Sequence, residues 1–81
     1  MMPLINRELD LRGFCEPIPL ISTNQAIDEL NDGDVLLVIT TDRGTLKDFD
    51  VWCQQTGNLL LQSSEQDSEF TFLICKHPGL N

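Results

Sequence analysis

The chain has 81 residues, 41% of them hydrophobic and 22% charged, which is room for one small core and excludes a large multi-domain enzyme. Thirteen Asp and Glu against five Lys and Arg give a formal charge of −8, a balance that repels phosphate backbones and argues against direct nucleic-acid binding. Apolar runs such as Val35 to Ile39 fall far short of the roughly 20 residues a membrane span needs, and Met1 to Glu8 lack the basic region and apolar stretch of a signal peptide, so the chain reads as cytoplasmic. Three cysteines, spaced by 38 and 22 positions, form neither a disulfide framework nor a paired metal knuckle, as expected in a reducing compartment.

Glu8 to Arg12 alternates polar and apolar residues, placing Leu9 and Leu11 on one face of a strand that Gly13 closes. Pro17 and Pro19 follow, and proline is tolerated in a first helical turn, where the backbone N–H has no partner. A helix is expected from there, with Leu20, Thr23, Ile27 and Leu30 recurring at helical steps, Ala26 widening the stripe and Asn31-Asp32-Gly33 as the stop. Val35 to Thr41 is β-branched and nearly continuous in apolar character, which suits a central strand.

From Leu46 a second helical pattern runs through Phe49, Cys53 and Thr56, with Trp52 beside it and Gly57 as the C-terminal cap. Two further strands, Asn58 to Ser63 and Glu69 to Lys76, are joined by the turn Glu65-Gln66-Asp67-Ser68, the second with Phe70, Phe72 and Ile74 on one face. The order βαβαββ predicts an α/β two-layer sandwich, two helices on one face of a four-stranded mixed sheet. One domain over 1–81 is expected, its core about 8–76 with short flexible termini.

Leu9-Asp10-Leu11-Arg12-Gly13, then a cysteine and a Pro-x-Pro opening a helix, resembles the small TusA-like, SirA-like and YedF-like sulfur-carrier family. Ala26-Ile27, Gly33-Asp34, Asp42, Asp48 to Cys53, Gly57 and the strand ending at Lys76 extend the likeness over roughly Glu8 to Lys76. The resemblance implies the βαβαββ sandwich and a single reactive cysteine between the first strand and first helix. That cysteine accepts a persulfide sulfur from a cysteine desulfurase or another sulfur-relay protein and hands it on, without a cofactor. Placement at a helix N-terminus suits the chemistry, because the thiolate is the nucleophile and the helix dipole favours anions there.

The family motif is Cys-Pro-x-Pro, whereas this chain reads Cys15-Glu16-Pro17-Ile18-Pro19. Counting without a gap from either flank puts Glu16 at the family's cysteine position and Cys15 one residue earlier. Two readings follow. In the first, Cys15 is a displaced persulfide acceptor, with Arg12, Gly13, Glu16, Pro17 and Pro19 forming the partner-binding surface and Arg12 available to neutralise Glu16 or a persulfide. This would be a sulfurtransferase-type carrier, and it requires an accessible Cys15. In the second, the protein carries no sulfur and acts as a protein-binding or regulatory module, with a buried or inert Cys15 and a solvent-facing Glu16 carboxylate. Glu16 opposes a second anion beside it, and it also serves as an acid stabilising a helix start.

Cys53 is expected in the core, and Cys75 with His77 is too sparse a set for zinc, so no metal site is assigned. His77 is expected to be exposed in a terminal tail, and Asp48 to serve the second helix's N-terminus. A sheet this small, with free edges, is consistent with a monomer or weak dimer.

Overall fold

The computed structural model describes residues 4–77. The expected flexible termini include residues 1–3 and 78–81, which lie outside the described residues. In chain order the elements are β1 (Arg7–Leu11), α1 (Ile18–Asp28), β2 (Val35–Thr40), α2 (Gly44–Thr56), β3 (Leu59–Gln66) and β4 (Glu69–Cys75). They form the expected two-layer sandwich, with both helices on one face of a mixed sheet ordered β1-β2-β4-β3. β1 runs parallel to β2, and β4 is antiparallel to both β2 and β3.

Alternation along the strands decides which side chains meet the helices. Leu36, Val38 and Thr40 of β2 pair across with Ile74, Phe72 and Phe70 of β4, and all six are buried. Against this face α1 contributes Ala26 and Ile27, and α2 contributes Phe49, Trp52 and Cys53. The Phe49 ring lies 4.5 Å from Phe72, centroid to centroid, within the range where aromatic pairs add to simple burial. Trp52 Nε1 donates to Asn24 Oδ1 at 3.3 Å, tying the two helices together.

Several boundaries differ from the sequence expectation, each for a local reason. Helix α1 ends at Asp28 rather than reaching Leu30, because the Glu29 and Leu30 amides turn to the carbonyls of Ala26 and Ile27 three residues back, tightening the last turn. Helix α2 starts at Gly44, ahead of Leu46, because Asp42 closes the turn before it: the Gly44 amide donates to Asp42 Oδ1 at 2.9 Å and the Thr45 amide to the Asp42 carbonyl at 3.0 Å. Its other end is as expected, with Gly57 left-handed at φ +82 and its amide bonded to the Cys53 carbonyl.

The last hairpin is tighter than expected. β3 continues to Gln66, and the turn is Asp67-Ser68 alone, both at positive φ (53 and 63), the backbone shape of a two-residue turn matched to strand twist. Leu61 is the unpaired residue of a register shift between Leu60 and Gln62, which the alternation of the sequence does not reveal.

Among the described residues, no helix is long and apolar enough to cross a membrane.

Candidate functional site

The turn after β1 is shaped by Gly13. Its φ of +88 is a conformation glycine adopts without penalty, and it lets the Phe14 amide return to the Leu11 carbonyl at 3.3 Å. Gly13 N–H donates to Thr41 Oγ1 at 2.8 Å, anchoring the turn to the end of β2. The chain then passes Phe14, which is 49% exposed, and reaches Cys15, which is also exposed.

Cys15 sits one turn ahead of α1: its carbonyl accepts the Ile18 amide at 3.1 Å. No side chain caps α1, and its first residues, Ile18, Pro19, Leu20 and Ile21, carry no charge. No acid lies within the first turn itself, although the Leu20 N–H of that turn is directed to the Glu16 carboxyl just ahead of the helix. Pro17 is exposed just before the helix, following a cis Glu16–Pro17 peptide bond. Pro19 is fully buried, so it sets the seating of α1 and presents nothing to a partner.

Glu16, next in the chain, is half-buried. Its backbone N–H donates to Asp42 Oδ2 at 2.7 Å, and its side chain runs past the first residue of α2: a Cβ on Gly44 would stand 3.9 Å from Glu16 Cγ. One carboxyl oxygen, Oε1, is buried without a hydrogen-bond partner. Burial, then the neighbouring Asp48 carboxyl, then the Asp42 charge push the Glu16 acid up to about 7, partly offset by the Leu20 N–H. Asp42 moves oppositely, held below the usual carboxylate range by the Glu16 and Gly44 amides it accepts. The thiol is exposed and the carboxylate beside it half-buried, with one of its oxygens withdrawn from solvent.

A buried relay braces Asp42. Thr40 and Thr45 hydroxyls meet at 2.7 Å, and Thr45 Oγ1 donates to the Asp42 carbonyl at 2.6 Å. Since Thr45 spends its hydrogen on that carbonyl, Thr40 must donate to Thr45. Both threonines are fully buried, so the loop between β2 and α2 is fixed from beneath.

Arg12 does not reach Glu16. Its Nε and Nη2 grip Asp10 Oδ1 and Oδ2 at 2.8 and 2.7 Å, and Nη1 reaches Glu69 Oε2 at 3.3 Å. The guanidinium therefore belongs to a surface ion-pair group on the sheet face away from the helices, and it holds Asp10 down to about 2.

The other cysteines are placed differently. Cys53 is buried on α2, and its thiol is pushed up to about 11 by burial and then by Asp50. Cys75 is half-buried, its Sγ 3.4 Å from the Gly33 carbonyl. His77 is not in an exposed tail: it is half-buried, with its amide donating to Asn58 Oδ1 at 2.9 Å and its ring beside Gly57. Among the described residues, no group of three or more His, Cys, Asp or Glu side chains is placed to hold a metal ion.

Sequence reasoning missed two participants. Asp42 was visible only as a loop acid, although Asp-x-Gly before a helix is the pattern of a side chain closing its own turn. Asp48 reads from sequence as an acid serving a helix start, but it lies in the second turn of α2 and faces Glu16. No local signal pairs residues 16 and 48, because their proximity depends on how the two helices dock.

Comparison with known proteins agrees with this architecture. The family model described as Sulfurtransferase TusA matches residues 7–76. A protein named Sulfur carrier protein TusA from Allochromatium vinosum is 42% identical over 71 residues, covering 88% of this chain and 93% of its own length. A putative sulfur carrier protein from Neisseria meningitidis serogroup A is 42% identical over 66 residues, covering 82% of this chain and 89% of its own. Among solved structures, a SirA-like protein from Desulfitobacterium hafniense superimposes with a TM-score of 0.78 at 22% identity, covering 89% of this chain and 99% of that one. That last likeness concerns the fold.

Proposed function

This chain belongs to the TusA sulfurtransferase family, and from that premise we propose that it works in sulfur relay with the Cys15 thiol as the carrying group. The observation that carries this reading is accessibility: of the three cysteines, Cys15 alone is exposed, and it lies one turn ahead of an uncapped helix N-terminus. An anion at that position is favoured by the helix dipole, by about 0.3–1 kcal/mol at an exposed site.

The chemistry is a transfer between persulfides. The Cys15 thiolate attacks the terminal sulfur of a persulfide on a donor protein's cysteine. A new S–S bond forms at Cys15 while the donor's S–S bond breaks, the donor cysteine leaves as a thiolate, and the transferred sulfur keeps its hydrogen. Nothing is oxidised or reduced overall, so no cofactor is required. Delivery to an acceptor thiolate repeats the step in the other direction. A cysteine desulfurase is the donor class that generates such a persulfide, and sulfur-relay proteins are the partner class. Phe14 and Ile18, both nearly half exposed, flank the thiol with apolar surface that a docked donor would cover. Gly13 and Pro17 set the shape of this rim.

Half-burial of Glu16 weighs against the reading in which its carboxylate replaces a persulfide as a docking charge, since Oε1 is withdrawn from solvent. The test is intact-protein mass spectrometry after incubation with a cysteine desulfurase and cysteine. Gain of one sulfur, lost in Cys15→Ser, is the expected result. An unmodified native protein alongside a Glu16→Cys variant that gains the adduct would sink carriage by Cys15 and leave a carrier scaffold whose chemistry has been removed.

A further inference from the structure

Cys15 is exposed, yet the backbone that carries it is held on both sides. The peptide plane joining it to Glu16 is fixed at both polar ends: the Glu16 N–H donates to Asp42 Oδ2 at 2.7 Å, and the Cys15 carbonyl accepts the Ile18 N–H at 3.1 Å. Before it, the Gly13 N–H donates to Thr41 Oγ1 at 2.8 Å. Adjacent residues of the loop between β2 and α2 thus grip the turn on either side of Phe14 and Cys15. The grip is itself anchored. The Asp42 carbonyl accepts the Thr45 N–H at 3.0 Å and the Thr45 hydroxyl at 2.6 Å, and that hydroxyl meets Thr40 in the core. Asp42 uses both carboxylate oxygens as acceptors, Oδ2 for Glu16 and Oδ1 for Gly44. These amides hold the acid below the usual carboxylate range, so the grip stays intact through neutral pH.

With that plane pinned and Gly13 held, the Cα–Cβ bond of Cys15 has little room to swing, and χ1 is the main torsion left to aim the sulfur. Aim matters more in transfer between proteins than in attack on a small reagent. In the transfer, the attacking thiolate, the moving sulfur and the leaving cysteine must line up while both cysteines are held on folded partners. A small reagent turns freely to meet the thiol. We propose that Thr41 and Asp42 are positioning residues for sulfur transfer, fixing the backbone on either side of Cys15 so that its thiol meets a docked persulfide in line. Their side chains bond to backbone amides and not to the sulfur. A misplacement of about 1 Å between reacting groups costs roughly 100-fold in rate. The proposal rests on Cys15 as the carrying thiol. It also dictates side-chain chemistry. An asparagine at 42 has one acceptor oxygen where two amides need one each, and its NH2 would face an N–H. At 41, serine keeps the hydroxyl, whereas valine keeps only the shape.

The test sets the rate of one-sulfur uptake from a cysteine desulfurase and cysteine, read by intact-protein mass spectrometry, against the rate of Cys15 alkylation by iodoacetamide. Native protein is compared with Asp42→Asn, Thr41→Val and Thr41→Ser. Uptake is expected to slow roughly tenfold or more in Asp42→Asn and severalfold in Thr41→Val. Alkylation should stay within about twofold of native, and Thr41→Ser should recover the native uptake rate. A second readout needs no donor: the NMR order parameter of the Glu16 amide should fall in Asp42→Asn from the roughly 0.85 of rigid backbone. Native uptake in both Asp42→Asn and Thr41→Val would overturn the proposal, as would a Glu16 amide whose order is unchanged in Asp42→Asn. Alkylation that slows in step with uptake would also overturn it, since the effect would then lie in the thiol's reactivity and not in its aim. Thr41 is exposed, so Thr41→Val decides the matter if Asp42→Asn does not fold. Failure of carriage itself reads differently. Native protein and every variant would gain no sulfur, confining Thr41 and Asp42 to shaping the turn, while the Glu16 amide would still lose order in Asp42→Asn.

Discussion

The backbone N–H of Glu16 and Oδ2 of Asp42 meet at 2.7 Å, although the two residues lie 26 positions apart. The segment that presents Cys15 is thus fastened to the start of α2 by one carboxylate, which also closes the α2 entry through Gly44. A side chain serving two elements couples their order.

Asp42→Ala should therefore loosen both places at once. Hydrogen exchange at the Glu16 and Gly44 amides is expected to rise by about tenfold, as the loss of one hydrogen bond each implies. Protection that persists at Glu16 while falling at Gly44 would show that the turn is held by something other than Asp42.

Stability should carry a signature of Glu16 with a definite sign. The acid is raised from 4.5 in the unfolded chain to about 7 in the fold, so its contribution is complete below 4.5 and disappears as the pH rises through 7. Between those values the folded state should lose about 1 kcal/mol from this group after discounting for solvent screening. Urea unfolding across that window should show the decline in native protein and a flatter profile in Glu16→Gln.

Brief alkylation of the folded protein should label Cys15 well before the other two cysteines. Cys53 is protected both by burial and by a thiol pushed up to about 11, so it should react only after unfolding. Peptide mapping at short reaction times checks the order, and early label on Cys53 would contradict the packing of α2.

Phe72→Ala removes a ring that is fully buried and packed at a tilt of 42° against Phe49. A cost of about 3–5 kcal/mol is expected, a large share of what a domain this small possesses. Thermal unfolding followed by circular dichroism should show a strongly lowered midpoint or no folded baseline.

What was legible in the sequence tracks with how local its cause is. Alternation placed Phe70, Phe72 and Ile74 on the buried face, and Gly57 marked the end of α2, because pleat and left-handed cap are properties of adjacent residues. The Asp67-Ser68 turn was harder to see, since it lacks the Asn-Gly or Asp-Gly pair that announces its shape. At the site, the family motif located the turn and the displaced cysteine but not which of Cys15 and Glu16 faces outward. That choice is made by Asp42 and by the approach of α2, contacts spanning more than twenty residues.

The sheet order also bears on how the site fails. β1 is an edge strand, paired along one side only, to β2. The five residues that lead into the Cys15 turn can therefore detach by breaking a single ladder, while β2, β4 and β3 remain paired. Opening of that kind is a sub-global event, cheaper than unfolding. The protein can lose the geometry of its thiol while a spectroscopic probe of the Phe49 and Phe72 core still reports a folded molecule, so folding assays and sulfur-transfer assays need not decline together.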